Sequence, residues 1–131
     1  KHQWLEAHEF WNINYETGIC EIKSIEPLCH YCHNFIHSGR LSVIIDIEKP
    51  KEEVIDILEH GFGILSKNNL KCFPGTLDLA QELKCNTYNV EAYFLKLNEN
   101  LKWNDWKLLW NGIEYNSLWK TEQDWSNYYA R

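Results

Sequence analysis

The run Cys29-His30-Tyr31-Cys32-His33-Asn34-Phe35-Ile36-His37 places two cysteines and three histidines within nine residues, and no other segment concentrates potential metal ligands to this degree. It separates into Cys29-x2-Cys32 and His33-x3-His37. Two cysteines at the first spacing can close on one zinc as a knuckle. Two histidines at the second spacing lie i, i+4 on one face of a helix, where both imidazoles reach a single ion. The pairs therefore suit two metals, one structural and one catalytic. A helix is expected from about Cys32 to His37, closed by Ser38-Gly39, where glycine suits a left-handed cap.

Upstream, Trp4 to Trp11 alternates, with Trp4, Glu6, His8 and Phe10 on one side and Leu5, Ala7, Glu9 and Trp11 on the other, as in a strand. Asn12 to Gly18 reads as a turn, and Ile19 to Pro27 as a second strand leading into the knuckle. Downstream, Leu41 to Ile47 is rich in β-branched residues and suits a strand or a continuation of the same module. Pro50 opens a helix through about His60, with Glu52 and Glu53 in its first turn and Gly61 and Gly63 ending it. Thr76 can cap a helix over Leu77 to Leu83, and Val90 to Leu97 reads as helical. Asn111-Gly112 between Trp106–Trp110 and Ile113–Asn116 is the dipeptide that a type I′ hairpin requires. Thr121 then starts a terminal helix.

A chain of 131 residues can bury one modest core, or a small metal-stapled module joined to a second small unit. The net charge of −6, with Arg40 and Arg131 as the only arginines, argues against a broad basic surface for nucleic acid. Contact with DNA would need a local patch or a metal ion, whereas a protein partner fits the global charge. Five cysteines is an odd number, and Cys20, Cys29 and Cys32 lie near histidines, which points to metal binding in a reducing compartment rather than to disulfides. With no membrane-spanning apolar run and no signal peptide, a soluble cytoplasmic protein is expected. Cys72 and Cys85 read as core residues, Cys20 as core or an unassigned thiol, and His30 and His60 as residues without a role. Five of the seven Trp lie in Trp103 to Trp125, interleaved with Asp105, Glu114, Glu122 and Asp124. That pattern suits a small packed core better than a base-stacking platform.

The order of His8 on a strand, a turn, a second strand and Cys29-x2-Cys32-His33-x3-His37 resembles the HNH endonucleases, the ββα-metal or treble-clef nucleases. The matching words are Glu6-Ala7-His8-Glu9 and Leu28-Cys29-His30-Tyr31-Cys32-His33-Asn34-Phe35-Ile36-His37-Ser38-Gly39, within about residues 4–40. The resemblance implies a metal-dependent DNA endonuclease or nickase that hydrolyses phosphodiester bonds. His8 would be the general base, and His33 and His37 would hold a catalytic Mg2+ or other divalent cation. Cys29 and Cys32 would hold a structural Zn2+. Ala7 stands where the family usually has a ligating Asp or His, so a third protein ligand comes from Glu6, from Glu9 or from nowhere. The other half of a four-sulfur zinc site is expected upstream of Lys1; without it, Cys29 and Cys32 would turn to His2, Cys20 or another chain.

The expected fold is therefore α+β, with a zinc-stapled ββα-metal module over 1–48. Residues 49–131 follow as a small helical region, the hairpin and a last helix. A reading from another class is a non-catalytic zinc-stabilised binding protein, a phage or defence-system component that uses its acidic aromatic C-terminal region on a protein partner.

Overall fold

The computed structural model describes residues 4–129; His2 lies outside them. The fold is α+β. Strands β1 (Leu5–Asn14), β2 (Ile19–Cys29), β3 (Lys107–Trp110) and β4 (Ile113–Asn116) form one sheet in the order β1-β2-β3-β4. Five α-helices accompany it among the described residues: α1 (His30–Ile36), α2 (Ser38–Ile44), α3 (Lys51–Lys67), α4 (Pro74–Glu82) and α5 (Glu122–Tyr129). None is long and apolar enough to cross a membrane.

The chain forms two compact units, each assembled from two stretches of sequence. The first takes the residues up to His8 and Pro27–Phe94; the second takes Glu9–Glu26 and the residues from Leu95 onward. The 48/49 division expected from sequence follows the extent of a motif, whereas these units follow packing and each contains a return of the chain.

In the first unit, Leu41, Ile44, Val54, Ile57, Leu58, Phe62, Cys72, Leu79, Ala80 and Val90 form one buried core. The pattern of burial explains three departures from the local reading. Leu41 and Ile44 are buried three residues apart, so Ser38–Ile44 is drawn into helix α2 despite its β-branched content. Ser38-Gly39 consequently opens α2 and caps nothing; His37 ends α1 and precedes α2. Thr76 lies inside α4, which begins at Pro74, and its hydroxyl is 2.6 Å from that of Ser38, joining α4 to α2 in a buried pair. Val90 to Leu97 is not helical: Cys72 N donates to Glu91 O at 3.0 Å and Tyr93 N to Cys72 O at 2.9 Å, an extended pairing that seats Val90 in the core. Cys72 is in that core and Cys85 packs against it, as expected.

Helix α3 runs through both Gly61 and Gly63 instead of ending there. At Gly61 the glycine serves packing and not termination. A Cβ there would fall within the ring of Phe35 on α1, so only glycine allows the two helices to meet at this spot. Phe35 also meets Phe62 edge to face at 5.4 Å.

In the second unit, Asn14 Oδ1 accepts from Glu16 N and Thr17 N, at 2.9 and 3.1 Å, and shapes the turn between β1 and β2. Gly18 closes it at φ +80°, with its N–H on Asn14 O. Strand β2 then pairs with β3 in parallel, Ile19 opposite Lys107 and Glu21 opposite Leu109. The β3–β4 hairpin turns through Asn111 at φ 50° and Gly112 at φ 76°, the positive pair that a type I′ turn demands. Thr121 Oγ1 caps α5 by accepting from Asp124 N at 3.1 Å, as its sequence suggests. Trp103, Trp119, Trp125, Tyr128 and Tyr129 stack in a chain of ring contacts 4.6 to 6.0 Å apart.

The two glycines of α3 give a paired prediction. Gly61→Ala should cost about 1–3 kcal/mol, because the overpacking against Phe35 outweighs alanine's helix propensity. Gly63→Ala, whose Cβ would meet nothing closer than Tyr88 at 3.8 Å, should gain up to about 1 kcal/mol. Urea denaturation of the two variants measures both; equal effects would refute the packing role of Gly61.

Candidate functional site

Cys29 occupies the N-cap of α1, and its Sγ accepts from Cys32 N at 3.3 Å, so the last residue of β2 and the first turn of α1 form the knuckle. Facing both sulfurs is His60 of α3. Its Nε2 lies 3.8 Å from Cys29 Sγ and 3.5 Å from Cys32 Sγ. Cys29, Cys32 and His60 each bring one donor atom to within 4.8 Å of the others, a possible metal site. Burial pushes the Cys32 thiol up to about 11, with Cys29 beside it adding to the rise. A half-buried thiol such as Cys32 gives up its proton more readily once a cation joins it.

A second group lies one helical turn further on. His33 sits in the last turn of α1 and His37 at its end, where His37 N still bonds to His33 O at 3.2 Å and preserves the i, i+4 relation. His8 of β1, only 5% exposed, brings its ring to 5.2 Å from His33 and 5.0 Å from His37, while His33 and His37 are 4.9 Å apart. These three imidazoles also offer donor atoms within 4.8 Å of one another. The alternation of β1 is what aims His8 inward, with Glu6 two residues earlier on the same face.

Glu6 takes a place that the sequence did not suggest. Its carboxylate accepts from His30 Nδ1 at 2.8 Å through one oxygen and from His33 Nδ1 at 2.6 Å through the other. It is absent from the His8–His33–His37 donor group. These hydrogen bonds, first from His30 and then from His33, hold the carboxyl down at about 2 against the opposing effect of burial. A His33 that donates from Nδ1 keeps the lone pair of Nε2 for a metal, the role that a carboxylate behind a ligating histidine commonly plays. His30 is thus a tether for Glu6, held in turn by Asn34, whose side-chain amide donates to the His30 carbonyl at 2.8 Å. Glu9 is exposed, and Cys20, half-buried on β2, belongs to neither donor group.

An open cleft of about 310 Å³ lies over this group, lined by Glu6, His30, His33 and His37 together with Arg40, Glu48 and Lys49. Arg40 pairs with Glu48 at 3.2 Å and Lys49 with Glu53 at 3.1 Å. The cleft therefore mixes histidines with ion-paired cations. Comparison with family models, curated proteins and solved structures finds no match to this chain. What the site can do rests on its own geometry.

Of the residues singled out from sequence, Cys29 and Cys32 come together, and so do His8, His33 and His37. The residues missed are His60 and His30, both set aside as histidines without a role. For His30 the signal was available, since it lies inside the ligand-dense run. His60 carried none, because its approach depends on how α3 crosses α1.

The depressed carboxyl of Glu6 fixes the sign of a pH effect. Its folded value, about 2, is below the ordinary 4.5, so its contribution to stability is present above pH 4.5 and is lost as pH falls toward 2. Glu6→Gln should destabilise the metal-free chain near neutral pH, with the gap from wild type narrowing between pH 4.5 and 2 in chemical denaturation. A gap constant over that range would exclude the pairing.

Proposed function

We propose that the chain is a metal-dependent HNH-type DNA endonuclease or nickase, built on a ββα-metal, treble-clef module whose knuckle holds a structural Zn2+. The observation that carries this reading is the convergence of His8, from the first strand, with His33 and His37, from the helix. The resemblance implies that placement, and it needs the β1–β2–α1 order that the chain adopts.

In this reading His33 and His37 hold one divalent ion through imidazole nitrogens. When bound, the ion supplies Lewis-acid stabilisation for the charge that develops on the attacked phosphate and the leaving 3′ oxygen. Two imidazoles fit a borderline ion such as Ni2+ or Zn2+ better than Mg2+, which prefers oxygen ligands. His8 takes the proton from the attacking water, a task that neutral imidazole performs at physiological pH. Its burial and its two histidine neighbours hold the ring beside the two ligands that would carry the ion. Glu6, through Nδ1 of His33, orients the metal ligand. Arg40, at the edge of the cleft, is available to exchange Glu48 for a DNA phosphate.

A second reading, a metal-stapled binding protein that acts through a protein partner, is favoured by the net charge of −6 and by the exposed aromatics of the second unit, Trp11, Tyr115 and Tyr128 among them.

Supercoiled plasmid separates the two. With Ni2+, Mn2+ or Mg2+ the purified chain should nick it, and His8→Ala should lower the rate about 10²–10⁴-fold while the variant still binds the ion. Undiminished nicking by His8→Ala would sink the assignment. Loss of the ion together with activity would make His8 a ligand and not the base, and stoichiometric metal with no cleavage under any ion would favour the binding protein.

A further inference from the structure

We infer that Cys29, Cys32 and His60 form a zinc site of their own, distinct from the histidine group, and that its metal fastens helix α3 to the knuckle. The inference does not rest on the endonuclease reading. It assigns a ligand to the helical region, which the motif resemblance leaves without chemistry.

The distances carry the argument. In a tetrahedral zinc site with Zn–S near 2.3 Å and Zn–N near 2.0–2.1 Å, a sulfur and a nitrogen ligand stand about 3.6 Å apart. The observed separations from His60 Nε2 are 3.5 Å to Cys32 Sγ and 3.8 Å to Cys29 Sγ. Both sulfur–nitrogen edges are therefore already close to tetrahedral length, and the three donor atoms lie within 4.8 Å of one another. A thiol–imidazole hydrogen bond accounts for less. In either tautomer Nε2 offers one in-plane lone pair or one N–H, which makes one well-aligned hydrogen bond to a sulfur and not two.

The surroundings hold this arrangement from three directions. Cys29 Sγ is fixed by the N–H of Cys32, the N-cap bond of α1. The ring of Tyr31 meets His60 in a T-shaped contact at 5.6 Å. The residue after His60 is Gly61, the one position of α3 where Phe35 of α1 replaces a side chain. Close helix approach and ligand convergence thus occur side by side. Two thiolates balance the charge of Zn2+, and sulfur donors select it over Mg2+, so the site is chemically separable from the all-nitrogen group. Among the described residues these three make up the donor set. One tetrahedral position is left to solvent or to a donor from elsewhere.

The test is zinc content and Co2+ replacement on the full chain, read without reference to DNA cleavage. Wild type should hold one zinc that resists dialysis, and its Co2+ form should show thiolate-to-cobalt charge-transfer absorption of a tetrahedral site. His60→Ala should weaken zinc binding at least tenfold. His60→Cys should retain zinc and show stronger sulfur-to-cobalt absorption, which guards against His60→Ala failing only because it misfolds. Zinc held as tightly by His60→Ala as by wild type, or a Co2+ spectrum that His60→Cys does not alter, would overturn the assignment whatever the plasmid assay shows.

Discussion

The close approach of α1 and α3 at Phe35 and Gly61 is the constraint on which the first unit depends. Helix α1 is only two turns long and has no buried residue of its own, so it cannot be stable in isolation. It is held by what it touches: the face of α3 through Phe35 and Phe62, and the strand β1 through Glu6 and His8. Both donor groups use α1 as their middle element. A shift of α1 by one methyl's width would separate His60 from the cysteines on one side and His33 from Glu6 on the other. The missing side chain at Gly61 is therefore as much a part of the site as the histidines are.

The local chemistry of the sequence was legible wherever a backbone conformation or a side-chain spacing demanded a particular residue. Asn111-Gly112 announced its hairpin because few other pairs accept two positive φ angles. Thr121 announced α5, and the alternation of β1 placed Glu6 and His8 on one face. His33-x3-His37 on a helix led to the expected proximity. Gly61 misled because glycine has two uses, as a stop and as a place of close contact, and sequence alone does not say which one applies. Helix α2 is obscured in the sequence because β-branched residues favour strands by propensity, while the burial of Leu41 and Ile44 decides for a helix. The parallel pairing of β2 with β3, and the arrival of His60 at the cysteines, join residues far apart in the chain and leave no local trace.

The two donor groups differ in kind. One has sulfur in a half-buried setting, suited to a metal that stays. The other is nitrogen-only, opens onto a cleft and has a carboxylate behind one of its ligands, suited to a metal that works on something else. Glu6 shows how a residue assigned to the metal itself can act one bond further away. Its two oxygens are occupied by His30 and His33, so its negative charge would reach a metal at the histidine group only through an imidazole. Ala7 thus has on either side of it Glu6, which holds His30 and His33, and His8, whose ring faces His33 and His37.

The interleaving of the two compact units bears on how the chain is made. Ribosomes deliver β1 and β2 first, then everything the first unit needs up to Phe94, and only later Lys107–Leu109, the stretch that pairs with Ile19–Glu21. For that interval one side of β2 presents unpaired backbone groups, the kind of edge that invites another strand. Neither unit is a contiguous cassette, so no single cut frees one from the other. Truncation from the C-terminus before β3 would leave that edge permanently open.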